Sequence, residues 1–277
     1  MQALTRRSFK VGSIGEDLPT VDYVKSALGR GLPEFTPAVI FNDGYFVIVG
    51  SGPSVTSFLD EIKAERTKGR PICAVKGTHD WLIDNGLEPD LFLTLEPRAR
   101  PLKHTSKRTT YLIASRCPPE LFDQLKDKEV IIWHAAASKP SDALVPDKDE
   151  LTWDELDLTD ECQPWKGRFG VGGGTTSGLR AITIGFLLGF RKFILYGFDS
   201  CLDKDRHTKR FTGENIGESK LIDVIVGGKR FWCNGSMAQQ AMEFQEMYKM
   251  PNISIEAKGD GLIAAIIKER LKRGYAS

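Results

Sequence analysis

A turn of Gly50-Ser51-Gly52-Pro53-Ser54 follows directly on the apolar run Tyr45-Phe46-Val47-Ile48-Val49. A second turn, Gly172-Gly173-Gly174-Thr175-Thr176-Ser177-Gly178, opens a long apolar-periodic stretch. Glycine after a buried strand lets the backbone turn tightly and bring N–H groups close to an anion, and a helix beginning there adds the positive end of its dipole. The second turn also supplies hydroxyl donors at a helix start. Together they point to a phosphorylated ligand. Gly50, Ser51, Gly52 and Ser54 are candidates for one part of it, and Gly173, Gly174, Thr175 and Thr176 for its phosphates. A tight strand-to-helix turn and an ordinary N-cap are the structural alternatives.

Two carboxylates end predicted strands: Glu96 in Leu93-Thr94-Leu95-Glu96-Pro97, and Asp199 in Tyr196-Gly197-Phe198-Asp199-Ser200. In open α/β sheets the ligand crevice lies beyond the carboxyl ends of the strands. Asp199 and Glu96 are therefore the candidate catalytic acids and the candidate ligands of Mg²⁺, which prefers one or two carboxylates plus substrate oxygens. A carboxylate capping a neighbouring loop is the alternative for each. Lys76 and His79 fall near another strand end and are candidate ligand contacts. His104, His134 and His207 have no partner at metal-ligand spacing.

Two familiar fingerprints fail. The third glycine of a dinucleotide-binding turn is replaced by Val55, and the next strand ends at Lys76 rather than at an acid for a ribose. The chain also lacks G-K-[ST], so a Walker-type phosphate loop is excluded as a motif.

The elements that must position these residues follow from apolar periodicity. Residues 1–18 read as a loose arm and Thr20 to Leu28 as a short helix with Val21, Val24 and Leu28 inward. Ala38 to Phe41 and Tyr45 to Val49 read as two strands around an Asn42-Asp43-Gly44 turn. Helices after Pro53, from Thr78 and after Pro118-Pro119 alternate with strands at Pro71–Val75, Leu91–Leu95, Tyr111–Ala114 and Val130–Trp133. Residues 134–168, rich in Ser, Pro, Asp and Lys, interrupt the pattern as a lid or insertion. The alternation resumes with a helix from Thr175 to Leu188 and a strand from Lys192 to Tyr196. A hairpin around Gly227-Gly228, a helix from Met237, a strand at Asn252–Ile255 and a helix from Leu262 complete the chain.

Continuous apolar strands alternating with helices mean a mostly parallel sheet covered on both faces. The expected fold is thus α/β, Rossmann-like, with a β-hairpin insertion. The arm and short helix occupy residues 1–36, and a single domain occupies 37–277.

Of the 277 residues, 41% are hydrophobic and 27% charged, the balance of a soluble globular protein. A net charge of +1 gives no global field towards nucleic acid or anionic lipid. The basic runs at Lys103–Arg108 and Lys204–Arg210 are local. Five cysteines without C-x-x-C spacing argue against a disulfide framework or thiolate zinc site and fit a reducing cytosol. No apolar run is long enough for a membrane span, and the N-terminus lacks a secretory signal's apolar core.

The order of these pieces resembles the MptE-like family, long called a domain of unknown function. The resemblance rests on Ile48-Val49-Gly50-Ser51-Gly52-Pro53-Ser54, on Asn85-Gly86-Leu87-Glu88-Pro89-Asp90-Leu91-Phe92, and on Gly172-Gly173-Gly174 followed by Leu188-Gly189-Phe190 and Ile194-Leu195-Tyr196-Gly197-Phe198-Asp199. It covers roughly residues 45–200. It implies a transferase like the archaeal 6-hydroxymethyl-7,8-dihydropterin diphosphokinase, which moves pyrophosphate from ATP to a pterin alcohol with Mg²⁺. Relatives of that family include flagellin-modifying glycosyltransferases, and the G-x-G-P-S turn is also similar to that of bacterial sialyltransferases using CMP-sugars. The family commonly has Asp where this chain has Glu96. Small chains of this type also occur in bacteriophage genomes, which implies a host cytoplasm and modification of a nucleotide, nucleic acid or surface glycan.

The expectation is a cytoplasmic transferase that binds a nucleotide donor such as ATP or a CMP-sugar, with Mg²⁺, and carries a group to an acceptor. A sugar-nucleotide-dependent glycosyltransferase is the second reading, and a non-catalytic nucleotide-binding protein the third.

Overall fold

A strand that is apolar on both sides must be buried between two helical layers, and the inner strands of an eight-stranded sheet are buried in that way here. The computed structural model describes residues 20–38, 40–135, 168–202, 221–248 and 252–272. The expected N-terminal arm, nearly all of the 134–168 segment, the basic run from Lys204 to Arg210 with His207, and Cys162 lie outside the described residues.

After α1 (Thr20–Leu28) the chain runs through β1 (Asn42–Val49), a 3-10 helix (Pro53–Phe58), α2 (Leu59–Thr67), β2 (Ile72–Val75), α3 (Thr78–Asp84) and β3 (Leu91–Thr94). It continues with β4 (Thr110–Ala114), α4 (Pro119–Gln124), β5 (Glu129–Ala135), β6 (Gly170–Val171), α5 (Ser177–Leu187) and β7 (Phe190–Tyr196). The hairpin of β8 (Ile222–Val226) and β9 (Lys229–Cys233), then α6 (Gly235–Met247), β10 (Ser254–Ala257) and α7 (Leu262–Lys272) follow.

The main sheet has the order β10-β7-β1-β2-β3-β4-β5-β6, and all its pairings are parallel. Alternate residues of the central strands enter different cores. Phe46, Ile48, Phe193 and Leu195 pack with Leu179 and Ile182 of α5 and Ile263 and Ile266 of α7. Val47, Val49, Ile194 and Tyr196 pack with Val55, Ile62 of α2 and Leu82 of α3. Each fully buried aliphatic or aromatic side chain contributes about 1.5–3 kcal/mol, and this two-sided burial holds the strand ends in register. The β8–β9 hairpin forms as expected, antiparallel around Gly227-Gly228.

One element differs from the sequence reading. Asn42-Asp43-Gly44 does not turn back on itself; it is the first part of β1, and no strand forms at 38, 40 or 41. The N–H of Asn42 donates to Gly189 O, and Asn42 pairs with Phe190 ahead of a register shift at Tyr45. The residues expected to make a hairpin are absorbed as a bulge along β7, because the parallel partner satisfies their backbone groups. β6, only two residues long, carries too little pattern to be read from sequence.

The strands progress outwards from β1 through β2 to β6, and the chain then returns to the other side of β1 as β7. The strand order therefore reverses between β1 and β7. The carboxyl ends of such a pair are where open α/β sheets place their ligand crevice.

Candidate functional site

The first glycine turn leaves β1 at this reversal, and Asp199 leaves β7 beside it. The two are knitted together. Gly50 N–H donates to Tyr196 O and Gly52 N–H to Gly197 O, both at 2.8 Å. The backbone N–H and the hydroxyl of Ser54 both donate to Oδ2 of Asp199 at 3.0 Å. A Cβ on Gly52 would lie 2.3 Å from that same oxygen, and one on Gly50 would lie 2.9 Å from Gly197 O. Both glycines are thus required by the neighbouring strand end. The N–H groups expected to hold an anion are spent within the protein. Ser51 is half-buried beside them.

Burial is the main cause that raises the Asp199 carboxyl above the ordinary Asp range, and the nearby charge of Asp260 adds to it. The two bonds from Ser54 pull the other way. A carboxylate here opposes a phosphate and suits hydroxyl donors.

Lys76 follows β2 and Glu96 follows β3. Glu96 is 6% exposed. Its Oε2 accepts from Lys76 Nζ at 3.1 Å and Arg98 Nη2 at 2.9 Å, and its Oε1 accepts from Arg98 Nε at 2.6 Å. Burial disfavours its charge, yet Arg98 and Lys76 outweigh that and hold its carboxyl down at about 2. Between the strands carrying Glu96 and Asp199 lie β1 and β2, a separation of about 14 Å at ordinary strand spacing. Among the described residues no group of three or more His, Cys, Asp or Glu is placed to hold a metal. Glu96 serves Lys76 and Arg98 as counter-ion.

Lys76 has a φ of 55° and Ser200, next to Asp199, a φ of 48°. Non-glycine residues held in the left-handed region cost about 1–2 kcal/mol, and both lie at carboxyl ends of sheet strands. His79, by contrast, is fully buried. Its Nδ1 lies 3.2 Å from Asp80 Oδ1, its Nε2 lies 3.3 Å from the Tyr111 hydroxyl, and its ring packs on Phe92. It is a core histidine beneath the crevice and touches no open surface.

The second glycine turn runs from β6 to the start of α5. Gly173 and Gly174 have φ of 106° and 96°, which L side chains rarely adopt. Thr176 is the N-cap of α5, accepting from Leu179 N–H. Ser177 Oγ accepts from Leu95 N–H at 3.2 Å, which fixes the helix start over the end of β3. Among the described residues the N–H groups of Gly173 and Gly174 have no acceptor. The N–H and hydroxyl of Thr175 donate to Oε2 of Glu243 on α6, both at 3.0 Å. The anion position at this helix start is filled by a carboxylate of the protein itself.

Several residues of this edge were not singled out from sequence. Arg98 is two positions beyond Glu96, and Arg116 is two positions beyond the end of β4 in Ala114-Ser115-Arg116. Arg180 is the one charge in the largely apolar run Leu179 to Ile184, which was a readable signal; Glu243 had none. Ser115 Oγ lies 2.9 Å from His134 Nδ1, and His134 Nε2 lies 2.9 Å from Glu34 Oε2. Burial pushes the His134 imidazole down to about 4, so it is neutral at pH 7. This chain ties the 33–35 segment to β5, as do the Phe35–Ile132 and Ile132–Pro33 backbone bonds.

A family model described as "6-hydroxymethylpterin diphosphokinase MptE-like" matches residues 32–205, more than half of the chain. No curated protein matches the sequence. Among solved structures, the MAf glycosyltransferase from Magnetospirillum magneticum AMB-1 superposes with a TM-score of 0.59 at 19% identity. The match covers 87% of this chain and 37% of that one, so the protein spans little more than a third of that enzyme's length. At this identity the likeness is one of fold. Among the described residues no helix is long and apolar enough to cross a membrane.

Proposed function

This chain belongs to the MptE-like family, and we propose that it is a transferase binding a nucleotide-activated donor along the carboxyl ends of its sheet. The observation that carries this reading is the meeting of Gly50-Ser51-Gly52-Ser54 with Asp199 at the β1/β7 reversal, beside the glycine-rich start of α5. The family description favours transfer of pyrophosphate from ATP to a small alcohol. In that reaction the alcohol oxygen bonds to the β-phosphorus, the bond from that phosphorus to the oxygen bridging the α-phosphorus breaks, and AMP leaves. The hydroxyl proton is lost to a base. Such transfers proceed mainly by positioning and charge neutralisation. Asp199 accepts hydroxyls of the donor or acceptor, and Gly173, Gly174, Thr175 and Thr176 face the phosphates. Lys76, neutralised in part by Glu96, adds positive charge at the centre of the edge. Mg²⁺, when it accompanies the donor, would neutralise charge on the phosphate oxygens.

A second reading, glycosyl transfer from a CMP- or UDP-sugar, is favoured by the likeness of fold to the MAf glycosyltransferase. Calorimetry with ATP, CMP, CMP-sugars and UDP-sugars, with and without Mg²⁺, separates the two. Mg²⁺-strengthened ATP binding supports pyrophosphate transfer, and tight CMP binding indifferent to EDTA supports glycosyl transfer. Absence of binding by every nucleotide rejects both.

A further inference from the structure

Four strands of the sheet edge end in groups that differ sharply in what they can bind. At β1 and β7 the N–H groups of Gly50, Gly52 and Ser54 are all donated internally, and the functional group there is the buried Asp199 carboxylate. At β4 and β6 the polarity is reversed. Arg116 leaves the end of β4. Arg180, one turn into α5 and 6% exposed, crosses to donate through Nη1 to Val171 O at the end of β6. The Nε of both arginines is buried and has no hydrogen-bond partner among the described residues. That nitrogen belongs to the guanidinium edge on which two phosphate or carboxylate oxygens dock together.

The electrostatics agree with this geometry. Burial pushes the Arg180 guanidinium down to about 10; Glu243 acts to raise it, and the like charge of Arg116 lowers it further. Two neighbouring cations, one of them buried, are unfavourable together unless an anion bridges them. Among the described residues no carboxylate forms an ion pair with either. The nearest acid on α6, Glu243, spends Oε2 on Thr175 and Oε1 on Gln239. The N–H groups of the buried Gly173 and Gly174, without an acceptor among the described residues, lie just ahead of an 11-residue helix.

From this we infer that Arg116 and Arg180, with the start of α5, form a diphosphate subsite over β4–β6. Glu243 is the resident carboxylate that a bound diphosphate displaces. This inference rests on the nucleotide-donor reading for its direction: the donor's hydroxyl-bearing part meets Asp199, and its phosphates lie across the sheet edge at the two arginines. The first glycine turn holds no phosphate.

The test uses the full chain and inorganic pyrophosphate as probe, read by calorimetry, with CMP and ATP in parallel. Arg116→Gln should weaken pyrophosphate binding about tenfold or more, as loss of a charge-assisted bidentate contact does. Glu243→Gln should tighten it several-fold by removing a competing anion, a gain that misfolding cannot produce. Those results hold the subsite even if no nucleotide binds, in which case only the donor reading fails. Pyrophosphate binding that is absent in the wild type, or indifferent to both Arg116→Gln and Glu243→Gln, overturns the subsite whatever the nucleotides do.

Discussion

A methyl group on Gly52 would lie 2.3 Å from the carboxylate oxygen of Asp199, 147 positions further along the chain. The φ of Gly52 is −62°, a value open to any residue. Its smallness is therefore demanded by Asp199 and Gly197, with no contribution from backbone strain. Gly52→Ala should lower stability by about 1–3 kcal/mol, the usual cost of overpacking, and should weaken donor binding in the same variant through the displaced Asp199. Thermal melting and calorimetry on one preparation check this. Lost affinity with an unchanged Tm would mean that the gap at Gly52 serves the ligand directly.

Asp199→Asn keeps an acceptor for Ser54 while removing a buried charge. The folded-state pKa of Asp199 is raised, so ionisation costs stability as pH rises through the carboxylate range. The Asn variant should therefore melt at the same or a higher temperature than wild type at pH 7. That advantage should vanish once pH falls below the ordinary Asp value of 3.8. Donor affinity should fall about 10–100-fold, the worth of a hydrogen bond to a charged group. A loss of Tm at pH 7 would show that the carboxylate is structural.

Glu96 has the opposite sign. Its folded pKa is depressed to about 2 from 4.5, so its stabilisation is fully present above 4.5 and is lost as pH falls from there through 2. Glu96→Gln leaves Lys76 and Arg98 without their counter-ion and should cost about 1–3 kcal/mol at pH 7. The difference in Tm between wild type and variant should narrow as the pH is taken from 5 towards 3. A gap independent of pH across that range would assign the loss to packing.

Lys76 carries both a charge and a left-handed backbone, with a φ of 55°. Gly and Ala variants each delete the ion pair with Glu96, but only Gly relaxes the backbone. Lys76→Gly should be more stable than Lys76→Ala by about 1 kcal/mol, and the two should bind donor equally weakly. Chemical denaturation of the pair measures the first quantity. Equal stabilities would place the strain elsewhere.

Much of the fold was legible because the signals were local. Apolar runs such as Phe46–Val49 and Phe193–Tyr196 are long enough to mark buried parallel strands, and Gly227-Gly228 marks a hairpin whatever surrounds it. The Asn42-Asp43-Gly44 reading failed because turn propensity was outweighed by a backbone partner, Gly189 and Phe190, more than 140 positions away.

At the site, residue type and position at strand ends made Asp199, Lys76 and Glu96 candidates. The sequence by itself determined that glycine turns and acids crowd the carboxyl edge of an α/β sheet, since periodicity and turn chemistry act between neighbours in the chain. Only the tertiary structure decided which donors are free. Gly50, Gly52 and Ser54 spend theirs on Tyr196, Gly197 and Asp199 at and beyond the end of β7, Thr175 spends its own on Glu243, Glu96 is taken by Lys76 and Arg98, and His79 lies in the core. Arg116 and Arg180 retain unpartnered nitrogens among the described residues. Hydrogen bonds and charges act over a few ångströms, and the groups satisfied at this edge come from segments that the linear sequence holds far apart.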